Sequence, residues 1–235
     1  MKALMSATRQ VPVEIDDDAK GSPRLSQADQ AYIRLEELIV TLEIAPGTVL
    51  TEQTLIQLLN MGRTPIREAL QRLAMEGLVI ILPRRGILVA AINVRNQLEL
   101  VRLRREVQRL MVRYAALRCT VAERAQFQRI ADQIDQAAAA DDVVGFMRLD
   151  LEVDDLLAQT CRNEYAQKTI RLLAGLQRRF WYQSKQVVDL QRSARLHAAL
   201  VRSVAAGNGD LATANSDILI DYFEEFIHAA LEDRA

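Results

Sequence analysis

Apolar residues recur at helical spacing through residues 28–43, at Ile33, Leu35, Leu38, Ile39 and Leu42, which predicts an amphipathic first helix. Pro46-Gly47 breaks that pattern. Thr51 can N-cap a second helix over 52–59, and Asn60-Met61-Gly62 makes a short turn. Thr64 can cap a third helix with Pro65 at its first position; it runs to about Glu76 and ends at Gly77. Residues 78–82 read as a short strand, Pro83-Arg84-Arg85-Gly86 as a tight turn, and 87–92 as the returning strand. After Asn93 the pattern is helical to the C-terminus. Six helices are expected, at about 95–118, 121–139, 142–160, 163–184, 188–206 and 209–232, with breaks at Thr120, Asp141, Asn163, Asp189 and Gly207-Asn208-Gly209.

The expected fold is therefore mainly α: a winged helix-turn-helix over residues 26–92, then an all-helical bundle over 93–235. Residues 1–25 mix Asp16-Asp17-Asp18 with Gly21, Ser22 and Pro23, and read as a flexible tail. Half of the 235 residues are hydrophobic and 26% are charged, enough for packed cores. The net charge of -1 advertises no global affinity for nucleic acid, so a DNA-binding claim must rest on a local pattern. The first 30 residues hold no apolar run of signal-peptide length, and no stretch is long enough to span a bilayer. Cys119 and Cys161 have no metal-type spacing. A cytoplasmic protein with free thiols and no membrane partner is expected.

The local pattern exists. Two helices separated by a tight turn and followed by a wing would put the third helix in the major groove of double-stranded DNA, led by Arg63, Thr64 and Arg67. Arginine can bond guanine O6 and N7 together or clamp phosphate, and Arg63 and Arg67 leave the helix start on one side. Ile66, Ala69, Leu70 and Leu73 supply the buried stripe, and Arg84 and Arg85 at the wing tip would meet backbone or minor groove. Residues 63–85 carry five Arg, at 63, 67, 72, 84 and 85, against Glu68 and Glu76.

This segment resembles the winged-helix domain of the GntR family over about sixty residues. The resemblance is carried by Pro46-Gly47, Arg63-Thr64-Pro65-Ile66-Arg67-Glu68-Ala69-Leu70, Glu76-Gly77-Leu78 and Arg85-Gly86. It implies that Arg63, Thr64 and Arg67 lie on DNA and that Gly86 lets the wing turn closely. Gln53 stands where relatives often have Arg. Residues of about 95–232 resemble the helical domain of the FadR-type branch (the FCD domain), through Arg102 followed by Glu106, the segment from Asp150 to Asn163, and Arg195-Leu196-His197 followed by Gly209-Asp210. That resemblance implies effector binding, with small organic acids the commonest effectors, and a homodimer. It also implies a divalent-metal site, here Asp150, Asp154, His197 and Asp221, with Asp154 and Asp221 standing where His is usual, and it implies Arg102 as the group that reaches an effector carboxylate.

The residues give that site partial support of their own. Val143, Met147, Asp150, Asp154 and Leu157 share one helical seam. Two carboxylates inside it call for a cation, a shared proton or an arginine. His197 sits among Leu190, Ala194, Leu200, Val201 and Val204, whereas the neighbours of Asp221 (Asp217, Glu224, Glu225, His228) suit a solvated face equally well. Three carboxylates and one imidazole favour Mg, Mn or Ca over Zn. Arg104, Arg105 and Arg109 crowd the same helix as Arg102, and Trp181 and Tyr182 can line a cavity or fill core. The expected function is a ligand-controlled transcriptional regulator, a repressor by preference. One alternative is a regulator whose sensor has decayed into a dimerisation module; another is a metal-dependent hydrolase fused to a DNA-binding head, for which no nucleophile motif or phosphate loop is found.

Overall fold

The computed structural model describes residues 25–184 and 189–232. Apart from Leu25, the expected tail lies outside them. Helix α1 (Gln27–Val40) starts at Ser26, whose hydroxyl accepts the Asp29 amide. Strand β1 (Val49–Leu50) leads into α2 (Glu52–Leu59), capped by Thr51 and closed by Asn60 in the left-handed region. Helix α3 (Arg63–Met75) begins two residues earlier than its hydroxyl signal suggested. Gly62, not Thr64, is its N-cap, without a side-chain capping bond. The αL turn at Asn60 brings the chain into helix early, and Pro65 falls in the first turn, where an amide has no intrahelical partner to lose. Strands β2 (Val79–Leu82) and β3 (Gly86–Val89) form the wing.

The sheet is antiparallel in the order β1-β3-β2. Its first strand was not expected, and β3 stops at Val89 rather than 92 because its partner β2 begins at Val79, opposite it. Gly86 has φ +111°, and a Cβ there would lie 2.4 Å from the Leu50 carbonyl oxygen in β1. The close turn that the wing needs is thus a packing demand of the third strand. Leu35, Ile39, Leu55, Ile66, Leu73, Leu78, Ile87 and Val89 close the core of this head.

Helices α4 (Val94–Arg118), α5 (Val121–Ala139), α6 (Val143–Thr160), α7 (Glu164–Ser184), α8 (Leu190–Ala205) and α9 (Gly209–Glu232) make the second part. Most starts carry the short polar residue found in the sequence. Thr120 and Glu123 form a reciprocal capping box, Asn163 accepts the Tyr165 and Ala166 amides, and Asp189 accepts that of Arg192. At the α5–α6 break Asp141 adopts φ 53° and its neighbour Asp142 does the capping. The main core joins α4, α5, α6, α8 and α9 through side chains such as Met111, Phe127, Ile134, Leu157, Val201 and Leu219. Among the described residues no helix is long and apolar enough to cross a membrane.

Glu76, at the end of α3, accepts the Tyr32 hydroxyl at 2.9 Å. Burial pushes its carboxyl up to about 7, against the pull of the Tyr32 hydrogen bond and with help from the charge of Glu36. The folded state therefore holds this proton more tightly than the unfolded chain, whose carboxyl has the ordinary value of 4.5. The resulting stability is complete below about 4.5 and lost as pH rises through about 7. Relative to wild type, Glu76→Gln should gain stability between pH 4.5 and pH 8. The gain should be about 1–2 kcal/mol, less than the full shift because the half-buried side chain is screened. Thermal melts across that window test this, and a constant difference would refute it.

Candidate nucleic-acid interface and ligand pocket

The start of α3 presents the expected donors to solvent. Arg63 and Arg67 side chains are 65% and 57% exposed, and both face Glu52 of α2, at 3.9 and 2.8 Å. Glu52 thus aims two guanidinium groups across the turn. Thr64 and Gln53 are exposed, and the Thr64 hydroxyl has no hydrogen-bond partner among the described residues. With the uncapped amides of the first turn, these groups form a concentrated set of donors for phosphate oxygens and base edges. Arg84, at φ 62°, and Arg85 are exposed at the wing tip. Arg72 does not join them. Its guanidinium stacks over the Tyr32 ring at 3.9 Å and bonds Asp29 at 2.7 Å, so it fastens α3 to α1.

A cavity opens between α4, α6, α7, α8 and α9, about 600 Å³ with its open mouth counted. Phe146, Phe180, Trp181, Phe223 and Phe226 make its walls aromatic, while Gln97, Arg104, Asp150, Gln177, Arg178 and His197 bring polar groups into it. Tyr182 packs against the bundle core instead. Arg102, the expected carboxylate clasp, is exposed on α4; its neighbour Arg104, only 6% exposed, occupies the cavity. Arg104 donates to Gln108 at 2.7 Å, to Gln177 at 2.7 Å and to Asp154 at 2.6 Å, joining α4, α7 and α6. The signal for it was present: Val101, Arg104, Gln108, Met111 and Ala115 repeat at helical spacing, which puts Arg104 on the core face and Arg102 off it.

The proposed metal ligands divide. Asp150 meets His197, Asp154 turns to Arg104, and Asp221 is 62% exposed on α9 and pairs with Arg105 at 2.7 Å. His197 is 3% exposed and directs Nδ1 to the Ser193 carbonyl at 2.8 Å. Its Nε2 lies 3.1 Å from Asp150, a contact that needs a proton between the two. Burial acts to raise the Asp150 carboxyl, but the His197 bond and charge, with Arg104 and Arg178 behind them, hold it below the ordinary carboxylate range. A divalent ion does not fit this set. Asp154 is already neutralised by a guanidinium, the fourth ligand is absent, and among the described residues no three His, Cys, Asp or Glu side chains are grouped to hold a metal. Arg104 is the cation that the paired carboxylates required.

Helix α7 also meets the head. A Cβ on Gly175 would lie 3.0 Å from Leu78 and 3.4 Å from Glu36, so the missing side chain lets α7 approach both the wing base and α1. Arg178, which lines the cavity, extends to Glu36 at 3.5 Å with both side chains at least four-fifths buried. Its Nε is buried without a partner among the described residues.

A winged helix joined to an all-helical domain with an aromatic-walled cavity is the build of a DNA-binding transcriptional regulator. Residues 27–89 match the bacterial regulatory proteins of the gntR family, and residues 99–221 match the FCD domain. The HTH-type transcriptional repressor RspR of Escherichia coli K12 is 30% identical over 182 residues, covering 77% of this chain and 80% of the relative. The regulator YdfH of Escherichia coli O6:H1 is 28% identical over 197 residues, covering 83% and 86%. In fold, the chain superposes on McbR/YncC of Escherichia coli with a TM-score of 0.75 at 18% identity, over 88% of this chain and 99% of the other. The chain belongs to the GntR family, in the branch that carries an FCD domain, and is a transcriptional regulator rather than an enzyme.

The buried pair supplies a direct test. Asp154→Ala strands Arg104 and should cost about 3–5 kcal/mol, whereas Arg104→Met combined with Asp154→Leu should recover most of that loss. Urea denaturation of the single and double variants measures both, and an equally unstable double variant would contradict the isolated-charge explanation.

Proposed function

We propose that the chain is a homodimeric repressor with its reading head at 26–92 and its sensor and dimerisation domain at 93–235. Arg63, Thr64, Arg67 and Gln53 read or clamp operator DNA in the major groove, and Arg84 and Arg85 hold the flanking backbone or minor groove. A small organic acid is the effector, held without a metal by Arg104 and Arg178. The observation that carries this reading is Arg178, which shares its guanidinium between the cavity and Glu36 of the head. An acid in the cavity competes with Glu36 for one cation, so its binding favours one arrangement of the head over another. The aromatic walls suit an acid with an unsaturated or aromatic body.

A second copy has a surface to use. Leu103, Leu110 and Leu117 are exposed at seven-residue spacing along α4, with Tyr114 beside them. Such a stripe suits helix-on-helix pairing, and a dimer would offer two α3 helices to half-sites roughly 10 base pairs apart. The name of the relative RspR supports repression as the sign of control.

Selection of operators from random duplexes should return an inverted repeat. Arg67→Ala should then lose about 1–3 kcal/mol of discrimination between the selected and a scrambled duplex, measured by fluorescence anisotropy, while still sedimenting as a dimer. Leu110→Glu should sediment as a monomer. Unchanged discrimination by Arg67→Ala would remove α3 from the interface.

A thermal-shift screen of short-chain and aromatic carboxylic acids should find one that stabilises the wild-type protein and weakens its operator binding. Glu36→Gln should bind that acid at least as well as wild type and transmit less of its effect to DNA. Equal transmission in wild type and Glu36→Gln would reject the shared cation as the link.

A further inference from the structure

Arg179, next to the residue that serves the cavity, has a different and unresolved situation. It is 1% exposed. Its guanidinium donates to the Ala90 carbonyl in the linker between head and bundle, and its Nε has no partner. No carboxylate pairs with it among the described residues. Burial pulls its pKa down to about 10, so it still carries its charge at neutral pH. A guanidinium out of water without a counter-charge is an unstable arrangement, and folded proteins provide such a group with an anion.

Arg179 lines a second cleft, which borders the aromatic cavity at Gln97 and is built where the two parts of the chain meet. Gly77 and Ala91 to Asn93 come from the head and linker, and Asn96, Gln97 and Leu100 from the first turns of α4. The start of a 25-residue helix opens there, with first-turn amides and the positive end of its dipole. Asn93 caps only the Arg95 amide. Gln97 is 4% exposed and lines the same cleft. A buried guanidinium with an unpaired Nε, the Gln97 carboxamide and a helix N-terminus therefore share one cleft, and all of them can donate hydrogen bonds.

We infer that this junction cleft binds a small oxyanion, of the phosphate or carboxylate type, through Arg179, Gln97 and the first turn of α4. The anion supplies the counter-charge that the chain omits. Because its donors come from α7 and α4 and rest on the linker carbonyl of Ala90, its binding fastens the reading head to the bundle. The site shares Gln97 with the effector cavity, but its charge, Arg179, lines only the junction cleft. Glu99 also lines the cleft, and its carboxylate repels any anion that extends beyond the donors.

The test uses the full chain at constant ionic strength in a chloride buffer, titrated with sodium phosphate and, separately, sodium acetate. At least one should raise the melting temperature of the wild-type protein by roughly 5 °C near saturation and slow amide exchange over residues 90–97. Arg179→Met should melt higher than wild type in chloride alone and should lose the response to the anion. Arg178→Gln should keep that response. No response in wild type to either anion would overturn the inference. So would a response kept by Arg179→Met but lost in Arg178→Gln, which would assign the anion to the aromatic cavity and leave the effector reading standing. Arg179→Met that melts lower and dissociates on dilution would also overturn it, since a carboxylate of a second copy would then be the counter-charge.

Discussion

A guanidinium shut inside a helical bundle constrains everything around it. Moving the Arg104 charge out of water costs several kcal/mol, and only well-aligned oxygens offset it. Here they come from Gln108 on its own helix, Gln177 on α7 and Asp154 on α6. Those bonds fix how three helices stand relative to one another. Asp150 is then left to His197, the aromatic walls close around the remaining space, and Arg178 emerges one residue past Gln177, directed at the head. The cavity, its polar lining and its connection to α1 all follow from where one charge was buried.

Most of the fold was legible because its signals are local. Helix starts at Thr51, Thr120, Asn163 and Asp189 are hydroxyl, amide or carboxylate caps, which act over three or four residues and can be read without knowing the tertiary structure. What depends on distant partners was not legible. The two residues of β1 are strand only because β3 lies beside them. Thr64 has the chemistry of a cap, but the turn at Asn60 moved the helix start ahead of it.

The pocket was half legible for the same reason. Asp150 and Asp154 share a seam visible in the sequence. Helix α4, however, buries Gln97, Arg104 and Gln108 on its core face, while Leu103, Leu110 and Leu117 point outward. A second apolar stripe on the outer face competes with the buried one, so only its spacing from Val101, Met111 and Ala115 ranks Arg104 above Arg102. Asp221 carried its own warning in the acidic residues around it. The positive charge of the reading segment was overcounted too, since Arg72 spends its charge on Asp29 and Tyr32.

Gly175 links the history of the two parts. Its missing side chain leaves Leu78 as the nearest neighbour, at the 3.0 Å where a Cβ would fall. A lineage that gains a methyl group at 175 must first lose volume at 78, or its reading head is pushed off α7. The two positions, one in each domain, therefore drift together or not at all. A head exchanged by recombination between related regulators will be inherited intact only when its residue at 78 suits the α7 it lands on.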